Sequence, residues 1–135
     1  VSSVRERRFL IDTSAWIETL RPLGEAAVRA AVAAATDEGS AVLCDIVLLE
    51  LWNGAQGEGQ KKFLRSLEQL LQRVETSEAV WQRARNLSRR CRAAGMTVPA
   101  TDLLIAACAD HHGLELVHRD THFDQLARLP GRMDS

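Results

Sequence analysis

Phe9-Leu10-Ile11-Asp12-Thr13-Ser14 is the stretch that decides the fold. Its first three residues are short and wholly apolar, as a strand buried on both faces requires, and the run stops at an acid. Thr13 and Ser14 then signal the start of a helix. A strand that ends in an acid and turns at once into a helix opens a parallel α/β unit, with Asp12 at the C-terminal end of the first strand.

Working towards the N-terminus, Arg5, Arg7 and Arg8 make a basic run, but too few apolar residues follow before Asp12 to form the core of a signal peptide. Apolar runs such as Ile46 to Leu49, resuming at Leu51-Trp52 after Glu50, fall far short of the roughly 20 residues a bilayer-spanning helix needs. The expectation is a cytoplasmic protein with no membrane segment.

Working towards the C-terminus, Gly24 to Thr36 is Ala-rich and helical, and Ala41 to Cys44 reads as a second strand after the Gly39-Ser40 turn. Ile46 to Ala55 is apolar nearly all round, which predicts a buried helix ended by Gly54, Gly57 and Gly59, with Asp45 as its cap. Gln60 to Gln72 is a further helix, and Arg73-Val74-Glu75 a brief strand. Ser77 precedes a stripe at Val80, Ala84, Leu87, Cys91 and Ala94 with helical spacing, stopping at Gly95. Past Pro99 come an apolar helix over Thr101 to Asp110, a strand over Glu115 to His118 and a short helix over Asp120 to Leu126. This alternation predicts a parallel sheet covered by helices on both faces, with any site at the C-terminal strand ends.

The bulk composition fits. A chain of 135 residues, 46% hydrophobic and 26% charged, is one globular domain rather than a disordered or fibrous chain. Cys44, Cys91 and Cys108 are an odd, widely spaced set and read as reduced core residues. A net charge of -1 excludes an overall electrostatic grip on nucleic acid, so any such contact must be local.

Four acids stand out. Asp12 and Asp120 follow strands and face the same sheet edge. Asp102 lies in a helical first turn, where an acid is also common for purely structural reasons. Glu50 is the single polar residue in an apolar helix. Buried there, it requires a partner to stay ionised, unless the helix lies at an edge and exposes it. The two lysines, Lys61 and Lys62, fall on another helix, so a cation is the economical counter-charge. Oxygen ligands of this kind suit Mg2+ or Mn2+, and acid-held ions suit phosphodiester hydrolysis.

The set Ile11-Asp12-Thr13-Ser14, Glu50 on a helix, Asp102-Leu-Leu-Ile-Ala-Ala, and His118-Arg-Asp-Thr-His-Phe-Asp resembles the PIN domain, and more narrowly the VapC toxins. The resemblance runs from Phe9 to about Leu129, with all motifs in order. It implies a three-layer sandwich around a central parallel sheet of about four or five strands. It implies an endoribonuclease dependent on Mg2+ or Mn2+, whose metal pocket and catalytic set are Asp12, Glu50, Asp102 and Asp120. Asp12 and Asp102 would be the direct ligands, and Thr13 or Ser14 would order the pocket. It also implies an antitoxin partner covering the groove beside the acids, a structured RNA substrate (tRNA, rRNA or mRNA) and homodimerisation. Relatives often carry a further acid where this chain has His122. That histidine could ligate Mn2+, bind a substrate phosphate when protonated, or pack. Asp124 is no substitute, since two residues along a helix turn a side chain to another face.

Other features have plainer readings. Arg83, Arg85, Arg89, Arg90 and Arg92 crowd one helix, as a solvated face or a guide for RNA or an acidic partner. Arg119, beside Asp120, is a candidate for a substrate phosphate. Cys108, His111 and His112 lack a fourth zinc ligand. Trp16, Trp52 and Trp81 fall at apolar helical positions and read as core or interface. The competing function is a regulatory or binding module, either a degenerate PIN-like domain or a receiver-like phosphoacceptor centred on Asp12. A receiver requires a lysine near its last strand, and none is present.

Overall fold

Leu10 and Ile11 are fully buried because the strand that holds them lies inside the sheet, paired on both edges. The computed structural model describes residues 7–130, so Arg5 and the tail beyond Pro130 lie outside the described residues. The order is β1 (Phe9–Ile11), α1 (Thr13–Leu20), α2 (Ala26–Asp37), β2 (Ala41–Leu43), α3 (Asp45–Asn53), α4 (Gly57–Leu70), β3 (Gln72–Arg73), α5 (Glu78–Ala93), α6 (Ala100–His111), β4 (Glu115–Val117) and α7 (Thr121–Ala127).

All strand pairs are parallel, in the order β3-β2-β1-β4. The chain moves outward from β1 to β2 to β3, then crosses back past β1 to add β4 on the other side. Crossovers that run in opposite directions place their helices on opposite faces when each is right-handed. Accordingly α1 packs on α2, which lies against β2 and β4, while α5 packs on α6, which also contacts β4. The reversal falls between β1 and β4, and a crevice opens there at the carboxyl ends of the strands. The backbone N–H of Asp12 donates to the Val117 carbonyl at 2.9 Å, which carries the β1–β4 ladder up to that crevice.

The expected elements are all present with shifted ends, and two readings are corrected. The helix around Glu50 is not buried all round. Asp45, Leu49 and Asn53 form an exposed stripe at helical spacing, with Leu49 63% exposed and Glu50 half-buried. Three exposed positions one turn apart are invisible to a composition count when one of them is leucine. Nor is Asp45 the cap of that helix. Cys44 occupies the cap position, and Asp45 is the first helical residue, 3.4 Å from Arg73. An acid there complements the positive end of the helix without accepting a capping bond.

The glycines after Gly54 also do more than end a helix. Gly57, at φ 74°, starts α4, and the Gln60 side chain accepts from the Gln56 N–H at 2.8 Å. The last turn of the expected helix ends at Leu70, and Gln72-Arg73 form β3 in place of residues 73 to 75.

The stripe on α5 is buried at Val80, Ala84, Leu87 and Cys91, whereas Ala94 is an exposed C-cap. Four of its arginines are met by neighbours: Arg83 by Asp110, Arg85 by Glu78, Arg89 by Asn86 and Arg90 by the Pro130 carbonyl. Trp16 is core and packs edge-on against Phe63, Trp52 is half-buried, and Trp81 is 45% exposed. The three cysteine thiols are buried. Among the described residues no helix is long and apolar enough to cross a membrane.

One close approach fixes the α1–α2 connection. A Cβ added at Gly24 would lie 1.8 Å from the Glu18 carbonyl oxygen, so only glycine lets the loop pass against α1. Gly24→Ala is expected to cost about 2–4 kcal/mol of stability by urea or thermal denaturation. A loss below about 0.5 kcal/mol would show that the loop can move away at no cost.

Candidate active site

Asp12 and Asp120 are each the N-cap of the helix that follows their strand. Asp12 is 3% exposed, and its Oδ2 accepts from both the backbone N–H (2.9 Å) and the hydroxyl of Ser14. Asp120 Oδ1 accepts from the His122 N–H at 2.9 Å. Both acids are thus held at helix starts, where unpaired amides favour negative charge. Asp102 reaches the same crevice from the first turn of α6 and is 8% exposed.

His122 joins the last two. Its Nδ1 lies 2.9 Å from Asp102 Oδ2 and 2.9 Å from Asp120 Oδ1. Ligand atoms from Asp102, Asp120 and His122 fall within 4.8 Å of one another, the one such potential metal-holding group among the described residues. Asp12 stands close enough for its charge to act on Asp102. Burial first, then repulsion from Asp120 and Asp12 and a hydrogen bond with Asp120, push the Asp102 carboxyl up to about 6, while the His122 hydrogen bond pulls the other way. A buried acid crowded by two like charges is a site short of positive charge.

Glu50 is set one residue out. It accepts a 2.8 Å hydrogen bond from the Thr13 hydroxyl, which ties α3 to the residue next to Asp12. The partner that a half-buried glutamate requires is thus partly supplied by the chain itself. Ser14 has two roles: its hydroxyl donates to Asp12, and its oxygen accepts from the Arg119 backbone N–H at 2.9 Å. Asp124 is exposed and lies 3.9 Å from His118 Nε2, apart from the cluster.

Arg119 is not a bare cation. Its Nε lies 3.3 Å from Glu18, and Nη1 pairs with Glu25. Glu18 is 5% exposed and was not singled out from the sequence. The Glu25 amide, then Arg21 and Arg119, hold its carboxyl below the ordinary range against the opposing effect of burial. The available signal was the one that marked Glu50: a lone acid, here in Ala15-Trp16-Ile17-Glu18-Thr19-Leu20.

Two hollows flank the cluster. A cleft of about 490 Å³ is lined by Glu25, Val28, His118, Arg119, Asp120 and Thr121. A more enclosed groove of about 300 Å³ runs from Thr13 and Glu50 over Ile17, Leu20, Leu51 and Leu64.

Comparison with known proteins meets this geometry at residues 9–129, which match the family model of the PIN domain. The ribonuclease VapC11 of Mycobacterium tuberculosis is 36% identical over 123 residues, covering 89% of this chain and 92% of its own. This chain is a VapC-type PIN domain. Among solved structures, FitAcB from Neisseria gonorrhoeae aligns with a TM-score of 0.70 at 26% identity, covering 90% of this chain and 94% of that one. VapBC2 from Rickettsia felis, bound to a promoter DNA fragment, aligns at 0.72 and 17% identity over 90% of this chain and 92% of that one, a likeness of fold alone.

Within this PIN domain, the raised Asp102 carboxyl has a thermodynamic consequence. The folded value of about 6 exceeds the ordinary 3.8, so the folded state holds a proton that the unfolded state has released. Stability of the metal-free protein therefore falls as pH rises through that window, by about 3 kcal/mol, and stays low above it. Asp102→Asn is expected to be more stable than wild type at about pH 7.5 without metal, the gap closing near pH 4, as read by thermal denaturation. An equal gap at both pH values would remove Asp102 as its source.

Proposed function

We propose that this PIN domain is a metal-dependent endoribonuclease, the toxin of a toxin–antitoxin pair, cleaving structured cellular RNA such as tRNA, rRNA or mRNA. The observation that carries the reading is the meeting of Asp102, Asp120 and His122 with Asp12 beside them, at the crevice between β1 and β4. The naming of 36%-identical relatives as ribonucleases supports it.

The donor set fits a divalent cation. Carboxylate oxygens dominate, a single imidazole is present, and burial together with the charges of Asp120 and Asp12 raises the Asp102 carboxyl to about 6. Asp12, Asp102 and Asp120 would hold Mg2+ or Mn2+, with His122 beside them and Glu50 acting from the outer ring through Thr13. Such an ion, when bound, supplies electrophilic stabilisation of the phosphoryl oxygens and makes water a stronger acid.

The chain's own residues do the rest. Ser14 fixes the rotamer of Asp12, and the α7 amide of His122 fixes that of Asp120. His122 spaces Asp102 from Asp120. Arg119, on the cleft beside Asp120, offers its outward guanidinium edge to a substrate phosphate. In-line attack by water would leave a 5'-phosphate and a 3'-hydroxyl, with no part for the RNA 2'-hydroxyl.

The apolar groove over Ile17, Leu20, Leu51 and Leu64 suits the C-terminal segment of a VapB-like antitoxin, since it opens beside Thr13 and Glu50. A homodimer of the toxin within the complex and a cytoplasmic setting complete the proposal.

Purified protein is expected to cleave RNA with Mg2+ or Mn2+, stop in EDTA and recover when either ion is restored. Asp12→Asn and Asp102→Asn should lower kcat at least about 100-fold with unchanged circular dichroism. Activity that persists in chelator, or a 2',3'-cyclic phosphate product, would overturn the mechanism. Sequencing RNA ends after brief induction in cells identifies the target.

A further inference from the structure

We infer that Glu18 is a positioning residue for the active site: by clamping the side chain of Arg119 to α1, it fixes the β4–α7 loop, and with it the carboxylate of Asp120. This inference rests on the metal-site reading given above and names a residue outside the acid cluster on which that site depends.

A carboxylate 5% exposed is a costly burial unless its lone pairs are met. Three donors converge on Glu18 from separate parts of the chain. Arg21 Nη1 donates at 2.9 Å from one turn further on, the Glu25 backbone N–H at 3.2 Å from the start of α2, and Arg119 Nε approaches to 3.3 Å from the loop after β4. The close passage of Gly24 over the Glu18 carbonyl brings the Glu25 amide into reach. Glu25 then turns its own carboxylate onto Arg119 Nη1. The guanidinium is therefore held from two sides.

Residue 119 is also held by its main chain. Its N–H donates to Ser14 Oγ at 2.9 Å, and the Ser14 hydroxyl donates to Asp12 Oδ2. Ser14 and Glu18 are one helical turn apart, so a single face of α1 grips the backbone and the side chain of the same residue. The next residue is Asp120. Its position is thereby referenced to the helix that Asp12 caps, so two acids from strands remote in sequence share one support. A surface ion pair would contribute little, but a buried acid met by donors from three parts of the chain sets geometry.

Outer partners that orient metal ligands typically change metal affinity by about 10–100-fold when removed. The test measures Mn2+ binding to the whole chain by calorimetry, alongside thermal stability and steady-state RNA cleavage. Glu18→Gln, which keeps the shape and loses the charge, and Arg119→Ala, on an exposed side chain, are each expected to weaken Mn2+ binding at least about tenfold. The double variant should lose no more than the larger single effect, because both act through one contact. In Glu18→Gln the loss should appear in Mn2+ affinity measured without RNA and in kcat at saturating RNA.

Mn2+ affinity at the wild-type level in either folded variant overturns the inference, and so does additive loss in the double variant. If Glu18→Gln fails to fold, Arg119→Ala alone decides. Failure of wild type itself to bind Mn2+ would overturn the metal-site reading, and this inference with it. Wild-type binding with unaffected variants would overturn the inference alone.

Discussion

Like charges held together in a partly dry crevice dominate this molecule. Asp102 is buried against Asp120 and Asp12, and among the described residues the His122 imidazole lies between Asp102 and Asp120. Such an arrangement costs stability in the absence of a counter-ion, so the surrounding structure has to impose it. The sheet supplies the first part of that constraint. Leu10 and Ile11, immobile inside it, fix the height at which Asp12 emerges, and the β1–β4 register fixes where the chain leaves for Asp120. Helix α6, buried over nearly its whole length, holds Asp102 against them.

A second tier of contacts holds those supports. Thr13 links α3 to the end of β1, Ser14 links α1 to the loop after β4, and Glu18 gathers Arg21, Arg119 and the Glu25 amide. None of these side chains belongs to the acid cluster, yet each joins elements that contribute to it. Local order at the crevice is therefore a property of α1 as much as of the acids. The flanking hollows differ in character, one open and mixed in charge beside Asp120, the other narrower and largely apolar beside Glu50.

Much of this was legible in the sequence because it rests on short-range rules. The strand at Phe9–Ile11, the buried stripe of α5 and the stop at Gly95 follow from periodicity and turn chemistry. Asp12 is visible because it ends an apolar run, and Asp120 because it follows closely on the last strand. Contacts between segments distant in sequence were not legible. Nothing in the order of residues says that Arg119 meets Glu18 and Glu25, or that His122 lies between Asp102 and Asp120. The exposure of Leu49 escaped for a related reason: apolar composition indicates what can be buried, and only packing decides which side is.

The double use of Asp12 and Asp120 as helix caps narrows the chemistry open to these positions. One oxygen of each carboxylate is already committed to the amide two residues ahead. A glutamate would carry its oxygens one methylene too far to serve that amide, and an alanine would leave the turn unsealed while removing the charge. Side-chain length at both positions is thus dictated by the backbone before any catalytic demand is made of it, and these two aspartates are short for the sake of the helices they begin.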